Sequence, residues 1–246
     1  MAVLEICCGT IDDVVAAQAG GADRVELCAA LGEGGVTPSA GFLELADQVK
    51  GLCLHAIVRP RGGDFLYSAR EKQCMLKDIR FFASFGLSGI VVGALTAAGD
   101  VDTEFVQACV EEAGGCSVTF HRAFDVCREP ARALEDIIRC GCDRLLTSGQ
   151  APTAEAGIPL LQKLVAQADG RISIMPGCGV TPANAAHILR MTEATEIHAS
   201  ASSLHRSTMQ YSNAAVRMGR TDADEYSRKA TDPDIVRRLR EAISTL

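Results

Sequence analysis

RVELC, residues 24–28, alternates like a β-strand, yet it carries a carboxylate, Glu26, at its centre. Successive strand side chains point to opposite faces, so Val25 and Leu27 share one face and Arg24, Glu26 and Cys28 share the other. VLEIC at 3–7 repeats the pattern, with Leu4 and Ile6 opposite Glu5 and Cys7. The apolar set must pack against helices, which sends the acidic set into the middle of a sheet closed on itself.

The same alternation runs through later segments. His55, Ile57 and Arg59 oppose Leu54, Ala56 and Val58; Thr119 and His121 oppose Val118 and Phe120; Glu196, His198 and Ser200 oppose Ile197 and Ala199. In all, eight strand candidates emerge: Val3–Cys7, Arg24–Cys28, Cys53–Arg59, Gly89–Gly93, Ser117–His121, Arg144–Ser148, Arg171–Pro176 and Glu196–Ser200. Between them lie helical patterns with start signals at Thr10, Thr37, Thr181 and Asp232, the last three preceding proline. Stop signals follow at Gly20-Gly21, Gly86, Gly114-Gly115 and Gly141.

Strands alternating with helices imply a parallel sheet, and eight such units in a chain of 246 residues predict an α/β fold, a single-domain (β/α)8 TIM barrel over residues 1–246. The rival, a doubly wound open sheet, lacks its Gly-x-Gly-x-x-Gly turn after any strand. GGVTPSA at 34–40 echoes CGVTPAN at 178–184, a loop-to-helix solution used twice. The stretch 201–230 has no clear periodicity and is expected to cross the barrel mouth or cover an interface.

Composition narrows the function classes. With 48% hydrophobic residues the chain can bury a sizeable core. No apolar run is long enough to span a membrane, and a strand rather than a basic leader follows Met1, so a soluble cytoplasmic protein is expected. The net charge of −7 gives no footprint for nucleic acid. Arg237, Arg238 and Arg240 are expected on the solvated face of a C-terminal helix whose apolar stripe is Ile235, Leu239 and Ile243. Eleven cysteines scattered through apolar contexts read as reduced thiols.

Catalytic groups in this fold sit at the C-terminal strand ends. Glu5, Glu26, Arg59, His121 and His198 are therefore the candidates for acid–base chemistry, with Arg59 expected to pair with Glu26 and make its burial tolerable. MPGCGVTPAN at 175–184 offers Gly177 and Gly179 and a helix start at Thr181 for an anion, with Ser200 and Ser202 from the neighbouring loop and Arg61 from RPRGGDF at 59–65. Cys7 and Cys28 share inward parity on adjacent strands, so their thiols are candidates for one soft ion such as Cu(I). Cys140 and Cys142 fall in a loop at the opposite end, and no Gly-x-Ser-x-Gly elbow supports a serine nucleophile.

LEICC, GADRVELC, EGGVTPS, RPRGGDFLYS, VTFHRAFD, LLTSG, MPGCGV and ADEYSRK, in that order from Leu4 to Lys229, resemble the CutC family. The resemblance implies a TIM-like barrel that self-associates, a cytoplasmic role in copper homeostasis, Cu(I) binding, and a cysteine pair on the first two strands that falls on Cys7 and Cys28. Three readings stay open at this point: a copper-binding protein, an enzyme moving protons on a small phosphorylated or carboxylated metabolite, and a barrel whose polar interior only sets the specificity of folding or of oligomer contacts.

Overall fold

A computed structural model describes residues 2–213, 215–216 and 224–244. Eight parallel strands form the wall: β1 Val3–Cys8, β2 Arg24–Leu27, β3 Cys53–Ile57, β4 Gly89–Val92, β5 Ser117–Phe120, β6 Arg144–Thr147, β7 Ser173–Pro176 and β8 Glu196–Ala199. Each is followed by a helix, in order α1 Ile11–Gly20, α2 Ala40–Asp47, α3 Ala69–Phe85, α4 Thr103–Glu112, α5 Pro130–Arg139, α6 Ile158–Ala168, α7 Ala185–Thr192 and α8 Pro233–Ile243. The chain is a (β/α)8 barrel.

The strand order β7-β6-β5-β4-β3-β2-β1-β8 makes seven hydrogen-bonded ladders around the ring. β7 and β8 close it by lying side by side without a paired register. The barrel is thus closed by packing at one seam and by backbone bonds at the others.

Parity holds as the alternation requires. Leu4, Ile6, Val25, Leu27, Ala56, Val118 and Phe120 join the large core between strands and helices. Inside the barrel the apolar cluster is small, Cys28, Ile57 and Val91 with Cys7 against it. Apart from Leu146 and Met175 most of the rest of the bore is polar, and that is unusual for this architecture.

Two helix starts differ from the sequence reading. α1 and α8 begin at Thr10 and Asp232, whose side chains accept from backbone N–H groups of the first turn. α2 begins only after Ser39, which accepts from Phe42 N, because Thr37 is committed elsewhere: its hydroxyl takes the Arg59 N–H at 3.1 Å. α7 begins after Asn184 rather than Thr181, whose own N–H is capped by Asn184 Oδ1 at 2.8 Å. Nor is the C-terminal basic cluster all solvated. Arg240 donates to the carbonyls of Gly21 and Ala2 at 3.0 Å each and pairs with Asp23, tying α8 to the start of the barrel.

Of the 201–230 stretch, β9 Ser202–Arg206 and β10 Ser227–Thr231 form an antiparallel ribbon after β8. β10 is anchored where Thr231 N donates to Asp13 Oδ1 at 2.7 Å. Between the two strands, residues 214 and 217–223 lie outside the described residues.

Candidate functional site

The inward polar residues sort into two layers. The lower layer, nearer the strand starts, is an ion-pair network: Arg24 bridges Glu5 and Glu196, while Arg144 holds Glu196 through Nη2 at 3.0 Å and Thr119 Oγ1 at 3.2 Å. All five side chains are buried. Burial opposes ionisation of Glu196, but the Arg144 and Arg24 guanidinium groups hold its carboxyl below the usual range. His55 lies in the same interior, its ring directly over Gly89, where an added Cβ would come within 2.4 Å of Nε2. Burial pushes its pKa down to about 4, so it is neutral at pH 7.

His198 links this layer to the next. Its Nδ1 sits 2.7 Å from Glu5 Oε1 and its Nε2 3.9 Å from Glu26 Oε2. Burial works against charging the ring, yet its hydrogen bonds to Cys7 and Glu5 and the charge of both lift its pKa well above an ordinary histidine. Burial also opposes charge on Glu5, but the His198 bond and the His198 and Arg24 charges keep its carboxyl well below the ordinary range. The floor of the site is an imidazolium held on a carboxylate.

Above it opens a cavity of about 690 Å³ at the C-terminal strand ends. Cys7, Glu26, Cys28, Arg59, His121 and His198 all line it. Of the acid–base candidates only Glu5 is outside, one layer down and acting through His198. Of the anion candidates, Gly179, Ser200 and Ser202 reach the cavity while Gly177 and Arg61 do not. Gly177 packs under β8, where a Cβ would come within 3.2 Å of His198 Cβ. Arg61 points outward to Glu71 at 2.6 Å and Asp64 at 3.0 Å.

The expected Glu26–Arg59 pair does not form. Arg59 turns away to the carbonyls of Glu33 at 2.8 Å, Gly35 at 3.1 Å and Gly63 at 2.7 Å, because the loops after β2 and β3 fold over it and present their oxygens. Glu26 is left with His198 as its cationic contact, at 3.9 Å, with the charges of Glu5 and Arg24 acting from the layer below. Burial is the largest influence on its carboxyl and lifts the pKa above the ordinary value. Burial, reinforced by Glu26, also raises the Cys28 thiol well above its usual range.

His121 is clamped. Its Nδ1 accepts from Ala123 N at 3.1 Å, Phe65 packs against it in a tilted arrangement at 5.1 Å between ring centroids, and Gly93 lies beneath, where a Cβ would come within 2.4 Å of Nδ1. Burial and then the Arg59 charge push its pKa down to about 3. Next to it Asp125 accepts from Thr147 Oγ1, Ser148 N and Oγ, and Gln150 N, which fixes the loop after β6 against the cavity.

The sequence reading missed Arg144, Phe65 and the glycine seats. Gly89 on β4 and Gly93 just past its end, both of inward parity, are the available signal: a missing side chain at an inward position makes room for a ring from a neighbouring strand.

As for a metal, two soft sulfurs from adjacent strands, Cys7 and Cys28, open on one cavity, a donor chemistry that suits Cu(I). Cys178 lines the same space, its thiol on the Pro152 carbonyl at 3.3 Å. Among the described residues no three His, Cys, Asp or Glu side chains are grouped to hold an ion. A soft ion here would rest on the cysteine pair.

The CutC family model matches residues 2–203. The chain belongs to the CutC family. A CutC family protein of Chromobacterium violaceum is 52% identical over 241 residues, covering 98% of each chain. The human relative named copper homeostasis protein cutC homolog is 44% identical over 238 residues, 96% of this chain and 87% of that one. The crystal structure of a CutC protein from Streptococcus agalactiae superposes with a TM-score of 0.78 at 31% identity, covering 81% of this chain and 99% of that one. CutC membership and the barrel therefore agree. No helix among the described residues is long and apolar enough to cross a membrane.

Proposed function

We propose that this CutC chain serves copper homeostasis in the cytoplasm by binding Cu(I) through Cys7 and Cys28. The observation that carries the reading is the shared cavity: two thiols on neighbouring strands face one space rather than the outer core. The cationic His198 beside Cys7 compensates charge left when a metal displaces a proton. Because the Cys28 thiol is lifted by burial, ion binding must expel its proton, so affinity should climb with pH. Anaerobic competition against a coloured Cu(I) chelator tests this. Full affinity in a Cys7→Ala/Cys28→Ala protein would remove both residues as ligands.

A second reading has its own support. Glu26, lifted by burial and 3.9 Å from a histidine held on Glu5, has the make-up of a group that moves a proton at neutral pH. In it, Arg59 and His121 hold an acidic metabolite while Glu5 and His198 tune Glu26. Deuterium uptake into small hydroxy and keto acids in D2O, abolished by Glu26→Gln, is the expected signature; no uptake by the unaltered protein would dismiss it. The exposed Leu204, Met209 and Tyr211 on and beside the β9–β10 ribbon support self-association of copies.

A further inference from the structure

Arg59 is a buried cation with no carboxylate. Its side chain is 5% exposed, its two Nη atoms are spent on three backbone carbonyls, and none of the carboxylates lining the cavity pairs with it: Glu26 contacts His198, Asp125 holds Arg122, and Glu33 meets it through its backbone carbonyl. A guanidinium out of water without a counter-ion is costly. Its Nε–H, moreover, has no hydrogen-bond partner of good geometry among the described residues, and the buried Tyr67 hydroxyl, which feels the Arg59 charge, is unpartnered too.

His121, 4% exposed, has the matching defect. Ala123 N occupies Nδ1, which places the ring proton of the neutral imidazole on Nε2, and Nε2 has no partner either. Both groups rest on the same ring: Arg59 Cζ lies 4.9 Å from the Phe65 centroid and the His121 centroid 5.1 Å. Two buried, unfilled N–H donors and one unbalanced positive charge therefore sit together on one wall of the cavity.

We propose that this wall, between the ends of β3 and β5, is a binding site for a small monocarboxylate, one oxygen taken by Arg59 Nε–H and the other by His121 Nε2–H. Charge and donor count select the ligand. A carboxylate brings one negative charge and two acceptor oxygens, which fills both donors and neutralises Arg59. A phosphate dianion brings a surplus charge, and Arg122, the cation beside His121, is already paired with Asp125. Leu31, Ile57, Phe65 and Val126 around the wall suit a short, uncharged remainder, and the cavity volume limits the ligand to a small metabolite. The site uses neither the cysteine pair nor Glu26, so it is separate from copper binding; it rests on the second reading, in which Arg59 and His121 hold the acidic metabolite, but binding here does not require proton transfer at Glu26.

The test uses the whole protein, histidine-ring 15N NMR and three probes: acetate, pyruvate and inorganic phosphate. Acetate or pyruvate should shift the His121 Nε2–H resonance saturably, and phosphate should leave it in place. Arg59→Met should weaken binding about tenfold to a hundredfold, the loss of one charge-assisted bond. His121→Gln, which keeps an N–H donor, should retain more affinity than His121→Phe. An unmoved His121 signal at saturating millimolar carboxylate overturns the proposal, and so does tighter binding of phosphate or unchanged affinity in a folded Arg59→Met protein. If the variants fail to fold, the signal in the unaltered protein still decides. Cu(I) uptake, read by the chelator assay, is a different measurement on different residues.

Discussion

Two neutral histidines locked inside the barrel should make the fold sensitive to mild acid. His55 and His121 titrate near 4 and 3 when folded, against 6.5 for a free imidazole. Between those values the unfolded chain binds protons that the folded one refuses, so stability falls as pH drops below about 6.5. From pH 7 to pH 5 the linkage is worth about 2 kcal/mol per histidine, or about 4 kcal/mol for the pair. His198 is lifted rather than lowered, so its contribution is complete only below 6.5; from pH 7 down to that point it is still growing and offsets part of the loss. Glu26, also lifted, works in the opposite sense and trims the loss. Urea unfolding at half-unit pH steps measures the slope, with a melting temperature roughly ten degrees lower at pH 5 as the thermal counterpart. His121→Gln should lose about half of the pH dependence whatever it costs at pH 7. A stability profile flat between pH 7 and 5, or a slope untouched by that substitution, would refute the argument that these rings are buried uncharged.

Three further outcomes follow from the interior. Glu196→Ala should destabilise by about 3–5 kcal/mol in urea unfolding, because it leaves Arg144 without a carboxylate and Arg24 with one instead of two. Glu26→Gln, by contrast, should leave stability unchanged or raise it by about 1 kcal/mol in a thermal melt, since no ion pair to Arg59 is lost and a buried carboxyl is replaced by its neutral isostere. Gly157→Ala should abolish folding or lower the melting point steeply, as the new Cβ would lie 1.8 Å from the Ser148 carbonyl oxygen; expression and circular dichroism check it.

Alternation made the barrel and its polar bore legible, since the face a strand residue occupies depends only on its position. Partnership was not legible, because it depends on where loops travel. Arg59 sits just past the end of β3, and whether it meets Glu26 or a carbonyl is settled by how residues 31–36 and 60–65 fold back over it. Arg144 went unnoticed for the same reason, its carboxylate lying 52 residues on, across the bore. Thr37 and Thr181 had the right chemistry for caps, but Ser39 and Asn184 took those places while Thr37 was spent on Arg59. Local rules name the candidates, and tertiary competition chooses among them.

The unladdered seam between β7 and β8 is the line of the barrel with the least backbone reinforcement. His198 and Ala199 on one side and Met175 and Pro176 on the other face each other there with no ladder between their strands, so what joins the two is the packing of side chains. A ring of eight staves needs only seven pegs when the last joint is a good fit.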